Sequence, residues 1–283
     1  MNGLAETDPS NRAPEQRPWM TGPDAIRSWP VARTNVQLYN QLIDQGRPLN
    51  ELVLVRDAYH LTMRLYAGKY GSDCAAFVTH PVGVASIMAG LGYATDYVAT
   101  AIVHNIYRNA DWGDGRGPGN WPARRAQAIE CVGAKVETLL SRFGELRLRR
   151  DSFPALLDEV SQLNARDRAL LSIEVADYWE KYCELAVTYY GVERWDITLA
   201  EQRRNDLVEL SRRLGHHALG DILDHAIGAA ATRQIPAELR GETRWSKMTV
   251  APSLMMRPKV QLLMWLRPVL RKARSLPKKW GQQ

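Results

Sequence analysis

Between Thr34 and Ala231 the apolar residues recur at the three- and four-residue spacing of an α-helix, without runs of strand-like alternation. The segment after Leu49-Asn50 shows it most clearly. Leu52, Val55, Tyr59, Met63 and Tyr66 share one face, and Gly68 and Gly71 close the run. Thr79 is placed to cap the next helix, with Pro81 in the first turn, where a missing N–H is harmless. Val84, Ile87, Met88 and Leu91 form its buried stripe, and Gly90 and Gly92 end it. The spacing then predicts helices over 96–106, 123–143, 153–163, 167–190, 198–214 and 216–231. A loop rich in Gly, Asp and Trp runs from Asn109 to Trp121. Long helices joined by short loops pack as an all-α bundle.

A chain of 283 residues can bury a sizeable core, and its 45% hydrophobic and 24% charged content fits a soluble globular protein. Cys74, Cys131 and Cys183 lie far apart and form no CxxC pair, so they read as buried thiols of a reducing compartment. Met1 to Trp19 lacks the basic start and apolar run of a secretory signal, and no apolar stretch approaches the roughly 20 residues that span a bilayer. The expectation is a cytoplasmic protein. Pro9, Pro14, Pro18, Pro23 and Pro30 mark residues 1–33 as a disordered leader, ahead of a helical domain over 34–231.

Residues 232–283 read as a basic tail. From Arg244 onward it holds ten basic residues and no acidic one, so the net +6 of the whole chain leaves −4 for everything before it. The high pI of about 9.3 therefore belongs to the tail and does not mark the globular part as a nucleic-acid binder. Leu262, Leu263, Met264, Trp265, Leu266, Val269 and Leu270 are interleaved with Arg257, Lys259, Arg271 and Lys272. Such a mixture suits an anionic membrane surface, making the protein peripheral to the membrane, or an acidic protein partner, and either ranks slightly above packing of the tail on its own domain. Nucleic acid ranks third, because the aromatic residues are too few for a stacking platform.

The chemistry-bearing residues lie in Phe77-Val78-Thr79-His80-Pro81 and in Ala101-Ile102-Val103-His104-Asn105. A histidine opening one helix and a His-Asn pair closing the next bring imidazoles and a side-chain oxygen to one point, as a divalent-metal site requires. Further on stand Val132-Gly133-Ala134-Lys135-Val136-Glu137-Thr138-Leu139 and Ala176-Asp177-Tyr178-Trp179-Glu180-Lys181. Together, in this order over about residues 50–190, these segments resemble the HD-domain metal-dependent phosphohydrolases, and within them the RelA/SpoT-type (p)ppGpp hydrolase domain.

The resemblance implies an HD-domain-like helical bundle. It also implies a divalent metal, manganese, on His80, His104, Asn105 and Asp177, and a phosphorylated nucleotide such as (p)ppGpp as substrate. The family has aspartate where Asn105 stands, and a Glu-Asp pair that activates water where Arg108-Asn109 stand. It has asparagine where Lys181 stands. Asn105 brings no charge and Arg108 no base, so weakened or altered catalysis is expected, with an inactive nucleotide-binding or interaction protein as the alternative. By the same resemblance Arg64 and Lys69 are candidate phosphate contacts. Separately, His217, Asp221 and His225 share one helix face, but a straight helix spreads them over about 12 Å, and a polar stripe with local hydrogen bonds is the expectation.

Overall fold

Thr34 opens the bundle with a capping box. Its Oγ1 accepts from the Gln37 N–H, and Gln37 Oε1 accepts from the Thr34 N–H. The structure, a computed structural model, describes residues 31–71, 75–146, 153–183 and 197–239, with Tyr189, Thr249–Val250 and Leu266. In chain order it contains α1 (Asn35–Asp44), α2 (Leu49–Leu65), β1 (Lys69–Tyr70), α3 (Thr79–Gly90), α4 (Thr95–Val103) and α5 (Ile106–Asn109). Then come α6 (Pro122–Leu146), α7 (Phe153–Glu159), α8 (Ala165–Cys183), α9 (Ile197–Arg213) and α10 (His217–Thr232). β1 pairs antiparallel with β2 (Thr249–Val250), two residues on each side, so the described chain is all-α but for this short ribbon. The ribbon ties one point of the tail to the segment before α3. The rest of the tail, Leu266 apart, and leader residues 1–30 lie outside the described residues.

α3 is buried on every side from His80 to Gly90, and α4 from Val98 to Val103. A helix without a polar face belongs in the middle of a bundle. α4 accordingly packs against α2, α3 and α6, while α8 lies across α3, α6 and α10. α9 and α10 pair closely through the turn at Leu214–His216, where Gly215 takes φ 91°. Each fully buried Leu, Ile or Val in this core contributes about 1.5–3 kcal/mol relative to exposure.

Four details differ from the sequence expectations. Thr79 is the first helical residue, not the cap, and its hydroxyl donates to Ala76 O (2.8 Å). The helix expected over 96–106 stops at Val103, turns at His104-Asn105 and resumes as α5. Cys131 is half-buried, whereas Cys74 and the Cys183 side chain lie outside the described residues. The last three residues of the expected leader pack on the bundle, with Ala32 buried and its N–H donated to Ser86 Oγ (2.9 Å). Among the described residues no helix is long and apolar enough to cross a membrane.

Candidate metal centre

The break between α4 and α5 sets the site. His104 ends α4 with its Nδ1 2.6 Å from Ala101 O, one turn back. A carbonyl only accepts, so Nδ1 carries the proton and Nε2 keeps its lone pair. His80 enters from the first turn of α3, its ring centroid 5.3 Å from that of His104. Asp177 arrives from the middle of α8, with Oδ1 2.9 Å from His80 Nε2. All three side chains are buried, and their ligand atoms lie within 4.8 Å of one another.

Two imidazole nitrogens and a carboxylate oxygen are a donor set that suits a first-row divalent ion. The residues present therefore fit a metal, with one carboxylate rather than two. Asn105 joins the cluster through its amide nitrogen, which donates to His104 Nε2 and so competes for the lone pair a metal would use. Among the described residues, His80, His104 and Asp177 are the group of His, Cys or acidic side chains able to converge on an ion.

The sequence reading passed over Glu180 and Arg33. Glu180 is 5% exposed, and its carboxylate accepts from His80 Nδ1 and from Arg33 Nη1. Lys181, the next residue, holds its Nζ 3.5 Å away. Glu180 lies three residues after Asp177, and that spacing alone puts both carboxylates on one helix face. Arg33 carried no such signal, because its partner is 147 residues distant. Burial and the Lys181 ammonium push the His80 imidazole down, but the Glu180 and Asp177 carboxylates outweigh them and hold it above the ordinary histidine value. For Glu180, burial pushes upward, and His80, Lys181 and Arg33 reverse it and hold the carboxyl well below the usual range.

His104 also lines a cleft of about 420 Å³, together with Tyr107, Arg108, Asn120, Ser141, Phe143 and Glu145. The volume falls in the range of small-ligand pockets. Arg108 is exposed on this wall, and Asn109 follows it half-buried. Tyr107 and Ser141 are held from behind, since both hydroxyls donate to the buried Glu137, which also takes two hydrogen bonds from Arg125. Glu145, the carboxylate on the wall, pairs with Arg142 (2.9 Å).

The outer wall is the loop before α6, and Arg124 fastens it. Its Nε and Nη2 grip the two Asp114 oxygens, and its remaining N–H groups reach the carbonyls of Arg116, Gly117 and Gly119. All five guanidinium donors are used.

Arg64 and Lys69 do not line the cleft. Arg64 turns to Cys131 Sγ (3.3 Å), and Lys69 donates to Asn109 O (2.7 Å) at the end of α5. His217, Asp221 and His225 are exposed on α10, and Asp221 accepts from Arg212 (2.9 Å), which is the polar stripe expected. Compared with known proteins, the chain matches no family model and no curated protein.

Proposed function

We propose that this chain is an HD-type helical domain that binds a divalent metal on His80, His104 and Asp177 and takes a phosphorylated nucleotide such as (p)ppGpp in the adjoining cleft, with weakened phosphohydrolase activity. One observation carries the reading: His104 belongs both to the buried cluster and to the wall of a cleft that presents Arg108. A divalent ion there supplies Lewis acidity toward a phosphoryl oxygen and acidifies water. The Arg108 guanidinium offers the planar donor fork that matches phosphate. Ser141 and Tyr107, fixed by Glu137, shape the wall between them.

On this reading the same geometry makes turnover weak. Arg108, the residue at the position of the family's base, cannot accept a proton at neutral pH. Glu145 faces the cleft but is engaged by Arg142. Asn105 brings an amide where a charged carboxylate would strengthen the metal.

A second reading, nucleotide binding without hydrolysis, is favoured by the Asn105 Nδ2 contact that satisfies His104 Nε2 from within the chain. Metal content of the purified protein, followed by phosphate release from (p)ppGpp and other nucleotides with Mn²⁺, tests both. Slow metal-dependent release abolished by His104→Ala supports the first reading. Nucleotide binding without release, with or without metal, supports the second, and absence of bound metal sinks the metal centre.

A further inference from the structure

Glu180 has no place among the ligand positions, yet the structure is arranged around it. Gly83 sits one helical turn after His80 on α3, where a Cβ would stand 2.9 Å from Glu180 Cγ and 3.3 Å from Arg33 Nη1. Only glycine lets α8 bring this carboxylate so close to the first turn of α3. Arg33 is fixed from its own backbone: its N–H donates to Gln37 Oε1 (2.8 Å), and the neighbouring Ala32 N–H is anchored on Ser86 of α3 (2.9 Å). The guanidinium then reaches Glu180, and Glu180 reaches His80 Nδ1.

We propose that Glu180 and Arg33 are positioning residues for the metal centre. Glu180 holds His80 by Nδ1, so that Nε2 is the nitrogen turned toward Asp177, and Arg33 holds Glu180. The inference rests on the metal-binding reading above. Its physical basis is that the two imidazole nitrogens are coupled: the one that donates to an outer carboxylate leaves the other for the ion and makes it a better ligand. Arg33 Nη1 donates to Oε1 of Glu180 and so fixes the carboxylate whose Oε2 holds Nδ1. Arg33 makes that contact from the segment before α1, so docking of that segment on α3 is coupled to metal affinity.

Mn²⁺ titration calorimetry on the full chain tests this, with urea unfolding of the same metal-free proteins alongside. Glu180→Gln is expected to bind Mn²⁺ about ten- to a hundredfold more weakly than wild type, and Arg33→Met about tenfold more weakly. Arg33→Lys, which keeps the charge, should recover part of the loss. The double variant should bind no more weakly than Glu180→Gln alone, because both residues act through one imidazole. Gly83→Ala displaces Glu180 without changing its charge and should also weaken binding, which covers the case of Glu180→Gln failing to fold. Wild-type affinity in these variants, fully additive losses, or a shifted unfolding midpoint with unchanged affinity would each overturn the proposal while leaving the metal reading intact. A wild-type protein that binds no Mn²⁺ overturns the metal reading and this inference with it.

Discussion

Acidification should destabilise this protein through His216, a residue far in sequence from the metal centre. His216 precedes α10 and is 7% exposed. Its Nε2 lies 2.8 Å from Tyr93 Oη and 2.9 Å from Ser172 Oγ, which are themselves 2.7 Å apart. Burial, then the charges of Arg168 and His217, push its pKa from 6.5 down to about 4. Burial pushes the Tyr93 hydroxyl up to about 12, so it remains a neutral partner throughout. The folded pKa lies below the unfolded one, so the unfolded chain binds the proton first. The neutral network is fully stable above the unfolded value, and stability drains away as pH falls from about 6.5 toward 4. Between pH 7 and pH 5 the linkage amounts to about 2 kcal/mol. His80 works in the opposite sense, since its raised pKa gives stability at low pH that is lost as pH rises through the folded value. The effect of His216 must therefore be read by difference. Urea unfolding of wild type and His216→Gln at both pH values isolates it, because glutamine hydrogen-bonds without titrating. Wild type should lose about 2 kcal/mol more than the variant on acidification. Equal losses would refute the reasoning, and so would a larger loss in the variant.

Other expectations follow from single contacts. Asn105→Asp adds a second charged donor beside His104 and should raise Mn²⁺ affinity at least about tenfold by calorimetry, with unchanged affinity counting against the ligand assignment. Arg124→Ala leaves the carbonyls of Arg116, Gly117 and Gly119 without their donor and should cost about 3 kcal/mol in urea unfolding; Arg124→Lys should recover little, because an ammonium cannot reproduce the five-donor fork. The ten positive charges from Arg244 onward should bind anionic vesicles in sedimentation assays, part of that binding should survive high salt, and truncation after Glu242 should abolish it. Unfolding of the truncated chain would instead make the tail part of the bundle, to which Thr249–Val250 already pairs.

The sequence by itself determined that this chain is helical and where most helices run. Period is a local property: residues three and four apart meet on a helix whatever lies around it, so the helix after Leu49 was legible before any packing was known. Its buried face nevertheless runs through Val55, Ala58, Leu61 and Leu65 and leaves Met63 of the expected stripe exposed. The family resemblance of its motifs pointed to His80, His104, Asn105 and Asp177 as ligands; the structure brings His80, His104 and Asp177 together, while Asn105 turns its amide nitrogen to His104 Nε2. Tertiary structure alone decided the rest. The break at His104-Asn105 lies in a segment whose helical spacing continues to Ile106, so the turn there shows only in the folded chain. Arg33 meets Glu180 across 147 residues, and Tyr93 from the turn between α3 and α4, Ser172 from α8 and His216 from the turn before α10 converge on one point. Each of these groups is unremarkable in its own segment. What gives it a role is a partner brought near by the burial of apolar faces elsewhere, and the energy of a buried polar contact depends on that partner being present. Local spacing carries the helices, while the enclosure of charge is written only in the way those helices pack.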